Sequence, residues 1–207
     1  TSALSLDAGT GTVFLKESST GGAGGKFVIT DADTLQFSGG TVAFNGALSQ
    51  TDMLSGLAGA NPIVIAGDTI LQSSNNGIDL DTTTQFTIDG SAGSENLTLE
   101  SGGGNIVLNR IGSTTDLGAL TVDGGTGTIS LKADVETTET VTFQNTSELD
   151  LAASVNITAS GTSDIVATTG ITAIDFSGTS GTNVLTAGQD ITLGASLTDS
   201  GAGPATI

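Results

Sequence analysis

Residues Leu120–Leu131 read LTVDGGTGTISL, and two near-copies stand elsewhere, LSLDAGTGTVFL at Leu4–Leu15 and LTLESGGGNIVL at Leu97–Leu108. Superposed, they give Leu, any, Leu or Val, Asp or Glu, any, Gly, any, Gly, any, Val or Ile, any, Leu. Two short apolar alternations flank an acidic residue and a glycine turn. Repetition of this kind speaks of architecture before it speaks of chemistry.

The unit inside the phrase is a triplet, apolar–any–apolar, that recurs along the chain, as at Phe27/Ile29, Leu35/Phe37, Val42/Phe44, Ile63/Ile65, Phe86/Ile88, Val141/Phe143, Ile174/Phe176 and Ile191/Leu193. Alternation with period two over short runs, bounded by Gly, Ser, Asn and Asp, predicts strands and turns, and no stretch carries a helical period. The one departure is Gly46–Pro62, which lacks the alternation and reads as a loop, a single helical turn or an excursion from the stack. The copies begin 93 and 23 residues apart, and 93 is close to four times 23. A constant coil of about 23 residues predicts an all-β, parallel β-helix, a single solenoid over residues 1–207. At roughly 4.8 Å per coil, about nine coils make a rod of about 43 Å.

Side chains alternate faces along a strand, so the two apolar members of each triplet point into the shaft and the middle one points out. That middle residue is often Thr, as at Thr87, Thr98, Thr121, Thr142 and Thr192. Thr is β-branched and favours a strand while its hydroxyl meets water. The glycines fall where the chain turns between faces. On this reading the phrases recur because each strand pairs with its equivalent one coil on. No polar cap marks either end, so the strand-forming segments there, with Leu4, Leu6, Val13 and Leu15 at one end and Ile191 and Leu193 at the other, are candidates for end-to-end pairing.

Charge narrows the partners. The 207 residues carry 22 acidic and four basic side chains, a net charge of −18. Nucleic acid and anionic membrane surfaces both call for Lys and Arg, so neither fits. No apolar run approaches the 18 or more residues of a membrane-inserted helix. Absence of Cys removes disulfides and thiolate metal sites.

The phrases LGALTVDGGTGTISL (Leu117–Leu131), SENLTLESGGGNIVLNRIGSTTDLGAL (Ser94–Leu120) and AGQDITLGASL (Ala187–Leu197) resemble the repeats of bacterial filamentous-haemagglutinin-type large exoproteins. The resemblance extends from Phe86 onward more fully than over the first third. It implies a right-handed parallel β-helix, secretion to the bacterial cell surface, and a role as an adhesin shaft or extracellular fibre that meets a host or matrix surface.

Catalysis has few tools here. Without His, Cys, Tyr or Trp, the Ser-His-Asp and Cys-His systems and histidine metal sites are absent. Carboxylates remain, and Asp31 with Asp33 and Asp79 with Asp81 are two-apart pairs that a glycan-cleaving β-helix would use as acid and base. Solvated surface charge is the plainer reading of both. Sugar-stacking aromatics are not on offer, because six of the seven Phe occupy inward triplet positions. GGTGTISL (Gly124–Leu131) opens like a calcium-binding nonapeptide, but Ile129, and Val107 in the matching phrase, stand where the Asp ligand belongs. Weak, diffuse calcium binding to surface carboxylates is what remains, and no cofactor is expected. The outward Thr ladder could meet ice or a flat glycan, yet Ser130 and Asn156 interrupt it. The expectation is a non-enzymatic structural or adhesive protein, either a shaft segment or a head-to-tail filament subunit. A glycan-binding or glycan-cleaving β-helix using Asp79 and Asp81 is the alternative.

Overall fold

A computed structural model describes residues 3–6, 12–15, 34–44, 48–49, 63–73, 77–80, 87–177 and 181–200. Among these the chain is all-β, and every strand pairing is parallel. The strands cycle through three faces. Face 1 holds β1 (Ala3–Leu6), β3 (Thr34–Phe37), β6 (Ile63–Ile65) and β9 (Ile88–Gly90), then β14 (Val135–Thr137), β17 (Asn156–Ala159) and β20 (Val184–Ala187). Ile111 bridges Ile88 to Val135 and so joins the two parts of this face. Face 2 is one eight-stranded sheet, β2 (Thr12–Leu15), β4 (Gly40–Phe44), β7 (Thr69–Ser73), β10 (Leu97–Glu100), β12 (Leu120–Asp123), β15 (Val141–Gln144), β18 (Ile165–Ala167) and β21 (Ile191–Leu193). Face 3 stacks β5 (Leu48–Ser49), β8 (Ile78–Asp79), β11 (Ile106–Leu108), β13 (Thr128–Leu131), β16 (Thr146–Leu151), β19 (Ile171–Phe176) and β22 (Ser196–Thr198). This is a parallel β-solenoid, as the triplets predict.

The coil is not constant in length. Along face 2 the register advances 29 residues from Thr12 to Thr41 and again from Gly40 to Thr69. It then advances 28 residues to Leu97, 23 to Leu120, 21 to Val141, 24 to Ile165 and 26 to Ile191. The 23-residue interval therefore describes the middle of the shaft. The phrase at Leu4–Leu15 also sits out of phase with its copies: its strands lie on faces 1 and 2, whereas those of Leu97–Leu108 and Leu120–Leu131 lie on faces 2 and 3. The phrase encodes a strand–turn–strand corner that serves any edge of the triangle, so 93 residues do not measure four coils. Within Gly46–Pro62, Leu48–Ser49 form β5 against β8, and the rest of that stretch lies outside the described residues.

Inward positions form unbroken columns. On face 2, Val42, Leu71, Leu99, Val122, Phe143 and Ala167 stack in register and are fully buried. Each large side chain so buried stabilises the fold by about 1.5–3 kcal/mol. Phe37 is buried on face 1, and Phe176 is half-buried at the end of β19. Outward on face 2 runs a column of β-branched residues, Thr41, Ile70, Thr98, Thr121, Thr142, Val166 and Thr192. Thr87 departs from the expected solvated position. It is 7% exposed, and its hydroxyl meets Asp89, whose carboxylate also accepts the Ser113 hydroxyl and the Thr114 N–H from one coil on.

Stacking also explains the glycine of the quoted phrase. Gly125 has φ +60°, and a Cβ there would run into the Gly102 carbonyl of the coil before it. A turn in the left-handed region and a close approach between coils both select glycine.

Candidate functional site

Asp79 lies at the end of β8, half-buried, on the outward column of face 3. Asp81, like Asp31 and Asp33, lies outside the described residues. The column runs from Ser49 to Asp79 and continues through Val107, Ser130, Asp150, Asp175 and Thr198. It brings together two carboxylates, Asp150 and Asp175, that sequence spacing does not pair, because they stand a whole coil apart.

These two are built into the scaffold. One Asp150 oxygen meets the Ser130 hydroxyl at 3.3 Å and the Lys132 ammonium at 3.5 Å, while the other is buried without a partner. The Asp175 carboxylate accepts the Ser200 N–H at 2.9 Å, the Thr198 hydroxyl at 3.2 Å and the Ser200 hydroxyl. Burial pushes its pKa up, but the Ser200 hydroxyl and N–H, the Thr198 hydroxyl and the Phe176 N–H outweigh burial and hold it below the usual Asp value. A carboxylate held ionised and occupied by backbone and hydroxyl donors is poorly suited to deliver a proton. Glu95 repeats the design within its own loop. Its oxygens accept the Ser91 hydroxyl at 2.7 Å and the N–H groups of Ala92, Gly93 and Ser94; burial pushes its pKa up, but the Ser91 hydroxyl and the N–H groups of Ala92, Glu95 and Ser94 outweigh burial and lower it.

Other outward acids are clamped by amides. Glu100 and Asp123 are register partners, a like-charge pair; Gln72 donates to Glu100, while Gln144 and Asn145 donate to Asp123 at 2.9 and 2.7 Å. At the calcium-like position Ile129 is buried and Val107 half-buried, and no described residues gather three or more acidic ligands.

A further set of polar residues precedes the strands of face 2. Asn96 donates its N–H to Asp68 Oδ1 at 2.9 Å, Ala119 to Asn96 Oδ1 at 2.7 Å, Asp164 to Thr140 Oγ1 at 3.3 Å and Asp190 to Asp164 Oδ1 at 3.0 Å. In each case the acceptor lies one coil earlier at the same register position. Faces 1 and 3 each add one such bond, Asn156 N–H to Asp134 Oδ1 and Thr128 N–H to Asn105 Oδ1. One bond runs the other way, Val155 N–H to Asn183 Oδ1. Searching for paired acids passes over this seam; the signal for it is an Asp, Asn or Thr immediately ahead of an apolar triplet, as in Asp68-Thr69, Asn96-Leu97 and Asp164-Ile165.

The residues expected to pair end to end occupy opposite ends of the described stack. Leu4 and Leu6 lie in β1, the terminal strand of face 1, and Val13 and Leu15 in β2, the terminal strand of face 2; Ile191 and Leu193 lie in β21 at the other end. There the inward Ile191 and Leu197 are 45% and 39% exposed, whereas Ile165 and Ile174, which they pair with one coil earlier, are each 1% exposed. No family model, curated protein or solved structure matches this chain.

Proposed function

We propose that this protein is a structural shaft: a non-enzymatic segment of an extracellular adhesive fibre at the bacterial cell surface, carrying length and rigidity and not chemistry. One observation supports the reading above the others. The buried and half-buried acids Asp89, Glu95, Asp123 and Asp175 are bonded to the backbone of their own solenoid, and Asp150, beside Asp175, meets Ser130 and Lys132 through one of its two oxygens. Apolar columns inside and hydrogen-bonded seams outside make a rod that resists bending along its axis. The test is chemical. Incubated with a panel of acidic and neutral polysaccharides, the protein is expected to release no reducing ends or unsaturated products. Turnover that disappears in an Asp79→Asn/Asp81→Asn double variant would overturn the shaft reading in favour of a glycan-cleaving one.

A further inference from the structure

Coils of a solenoid ordinarily bond only to the coils beside them. At the corner between faces 1 and 2, one bond reaches further. Three successive coils turn this corner at residues 91–94, 112–116 and 138–140, and the middle coil contributes only the bridging Ile111 to face 1. The Thr138 hydroxyl donates to the Gly93 carbonyl at 2.7 Å, two coils earlier. It also lies 3.2 Å from the Leu117 carbonyl of the coil between, which accepts the Thr138 N–H at 2.8 Å.

The turn that presents Gly93 is organised by one side chain beneath it. Glu95 is 8% exposed, although Ser91, Ala92 and Ser94 over it are exposed. Its Oε2 accepts the N–H groups of Ala92, Gly93 and Ser94 at 3.1, 3.0 and 3.2 Å, and its Oε1 accepts the Ser91 hydroxyl. All four residues of the turn are thereby tied to a single carboxylate. The turn is also seated on the middle coil. Gly118 donates its N–H to the Glu95 carbonyl at 2.9 Å, and a Cβ on Gly118 would stand 2.7 Å from the Ser94 carbonyl oxygen. Among the described residues no Lys or Arg bonds Glu95, so its charge is met by N–H and hydroxyl dipoles. The ionisable groups on the elements packed around it are Asp68, which accepts the Asn96 N–H, then Asp89, Asp116 and Glu139, and the Arg110–Glu136 pair, closed at 3.2 Å.

We infer that residues 91–95 are an acid-operated staple: ionised, Glu95 holds the turn so that Gly93 meets Thr138 and three coils act as one unit, and protonated, it lets the turn loosen and that bond part. A neutral carboxyl is a weaker acceptor, and one of its oxygens becomes a donor among donors. Burial pushes the Glu95 pKa up, but the Ser91 hydroxyl and the N–H groups of Ala92, Glu95 and Ser94 outweigh it and hold the value below 4.5. The folded state therefore binds fewer protons than the unfolded one, and the staple is complete above pH 4.5 and opens as the pH falls through the lower folded value. Acid also relieves repulsion among Asp68, Asp116 and Glu139 and weakens the hold of Asp89 on Thr114, so the test must isolate Glu95.

Hydrogen exchange of the whole chain between pH 6 and 2, read as protection factors so that the intrinsic pH dependence cancels, tests this. As the pH falls, the amides of Ala92, Gly93 and Ser94 should lose protection on the order of tenfold, the effect of a charge-assisted hydrogen bond, while those of Leu120–Asp123 keep theirs. Glu95→Gln should show the loosened turn already at pH 6 and change little on acidification. Asp89→Asn should leave the acid response of the turn intact. Urea melts at pH 6 supply a second reading: the losses from Thr138→Val and Glu95→Gln should be less than additive, because a turn already loosened no longer offers Gly93 to the hydroxyl. Protection at Ala92–Ser94 that is indifferent to pH in the wild-type chain, an acid response that survives Glu95→Gln or vanishes with Asp89→Asn, or additive losses would overturn the inference. None of these outcomes touches the polysaccharide test, so the shaft reading stands or falls separately.

Discussion

Two coils with the same pattern meet different fates. In the middle of the shaft, Leu120 and Val122 of β12 lie between β10 and β15 and are fully buried. At the end, Ile191 and Leu193 of β21 occupy the equivalent inward positions, yet Ile191 is 45% exposed and Leu193 half-buried. The residue types are the same and so is the register. Burial in a solenoid is thus conferred by the neighbouring coil and not by the residue, which is why stability in such folds divides into repeats and the interfaces between them.

The largest effect should come from truncating one side chain in each setting. Leu120→Ala removes a residue with coils on both sides and leaves a cavity, so a loss of about 2–5 kcal/mol is expected. Ile191→Ala removes far less buried surface and should cost about 1 kcal/mol or less in the single rod. Urea melts at low protein concentration measure both. Equal losses would break the comparison, because they would mean that the end coil is covered.

Glycines sharpen the same contrast on a smaller scale. Gly125 and Gly161 both have positive φ, at +60° and +74°. A Cβ on Gly125 would collide with the Gly102 backbone, whereas one on Gly161 would meet only the Thr138 carbonyl oxygen at 3.5 Å. Gly161→Ala should therefore cost about 1 kcal/mol of backbone strain, and Gly125→Ala about 2–3 kcal/mol because a coil must also shift. Thermal melts of the two variants rank them.

Much of this architecture is legible in the sequence because the core repeats a local rule. The triplets Leu97/Leu99, Ile106/Leu108 and Val141/Phe143 appear as strands with their apolar members inward. What is not legible depends on the distance between neighbours. Asp150 and Asp175 stand side by side although 25 residues apart in the chain, because the outer turns vary in length without disturbing the columns. Thr87 reads as a solvated strand residue, yet it is buried and its hydroxyl meets Asp89, which also accepts from Ser113 and Thr114 one coil on. The copy at Leu4–Leu15 reads as in phase because a corner looks the same at every edge of the triangle. Asp190 is unremarkable until Asp164 shows what its position does.

The smallest effect separates the same two regions by acid. Asp175 secures Thr198 and Ser200, beside the final coil, while Glu95 secures its own loop in the shaft. Both carboxyls have folded pKa values below their ordinary values of 3.8 and 4.5. The folded state then binds fewer protons than the unfolded state, so the stabilisation is complete above the ordinary value and declines as pH falls through the lower folded one. Lowering the pH also neutralises the other acids and relieves self-repulsion, which acts in the opposite direction. The informative quantity is therefore a difference: between pH 5 and 2 the stability gap between the wild-type chain and Asp175→Asn should narrow. Hydrogen exchange should locate the change, with amides at Ser196–Ser200 losing protection before those at Leu120–Asp123. Simultaneous loss would mean that the end coil opens only with the whole shaft, and the contrast between a supported and an unsupported coil would not extend to local opening.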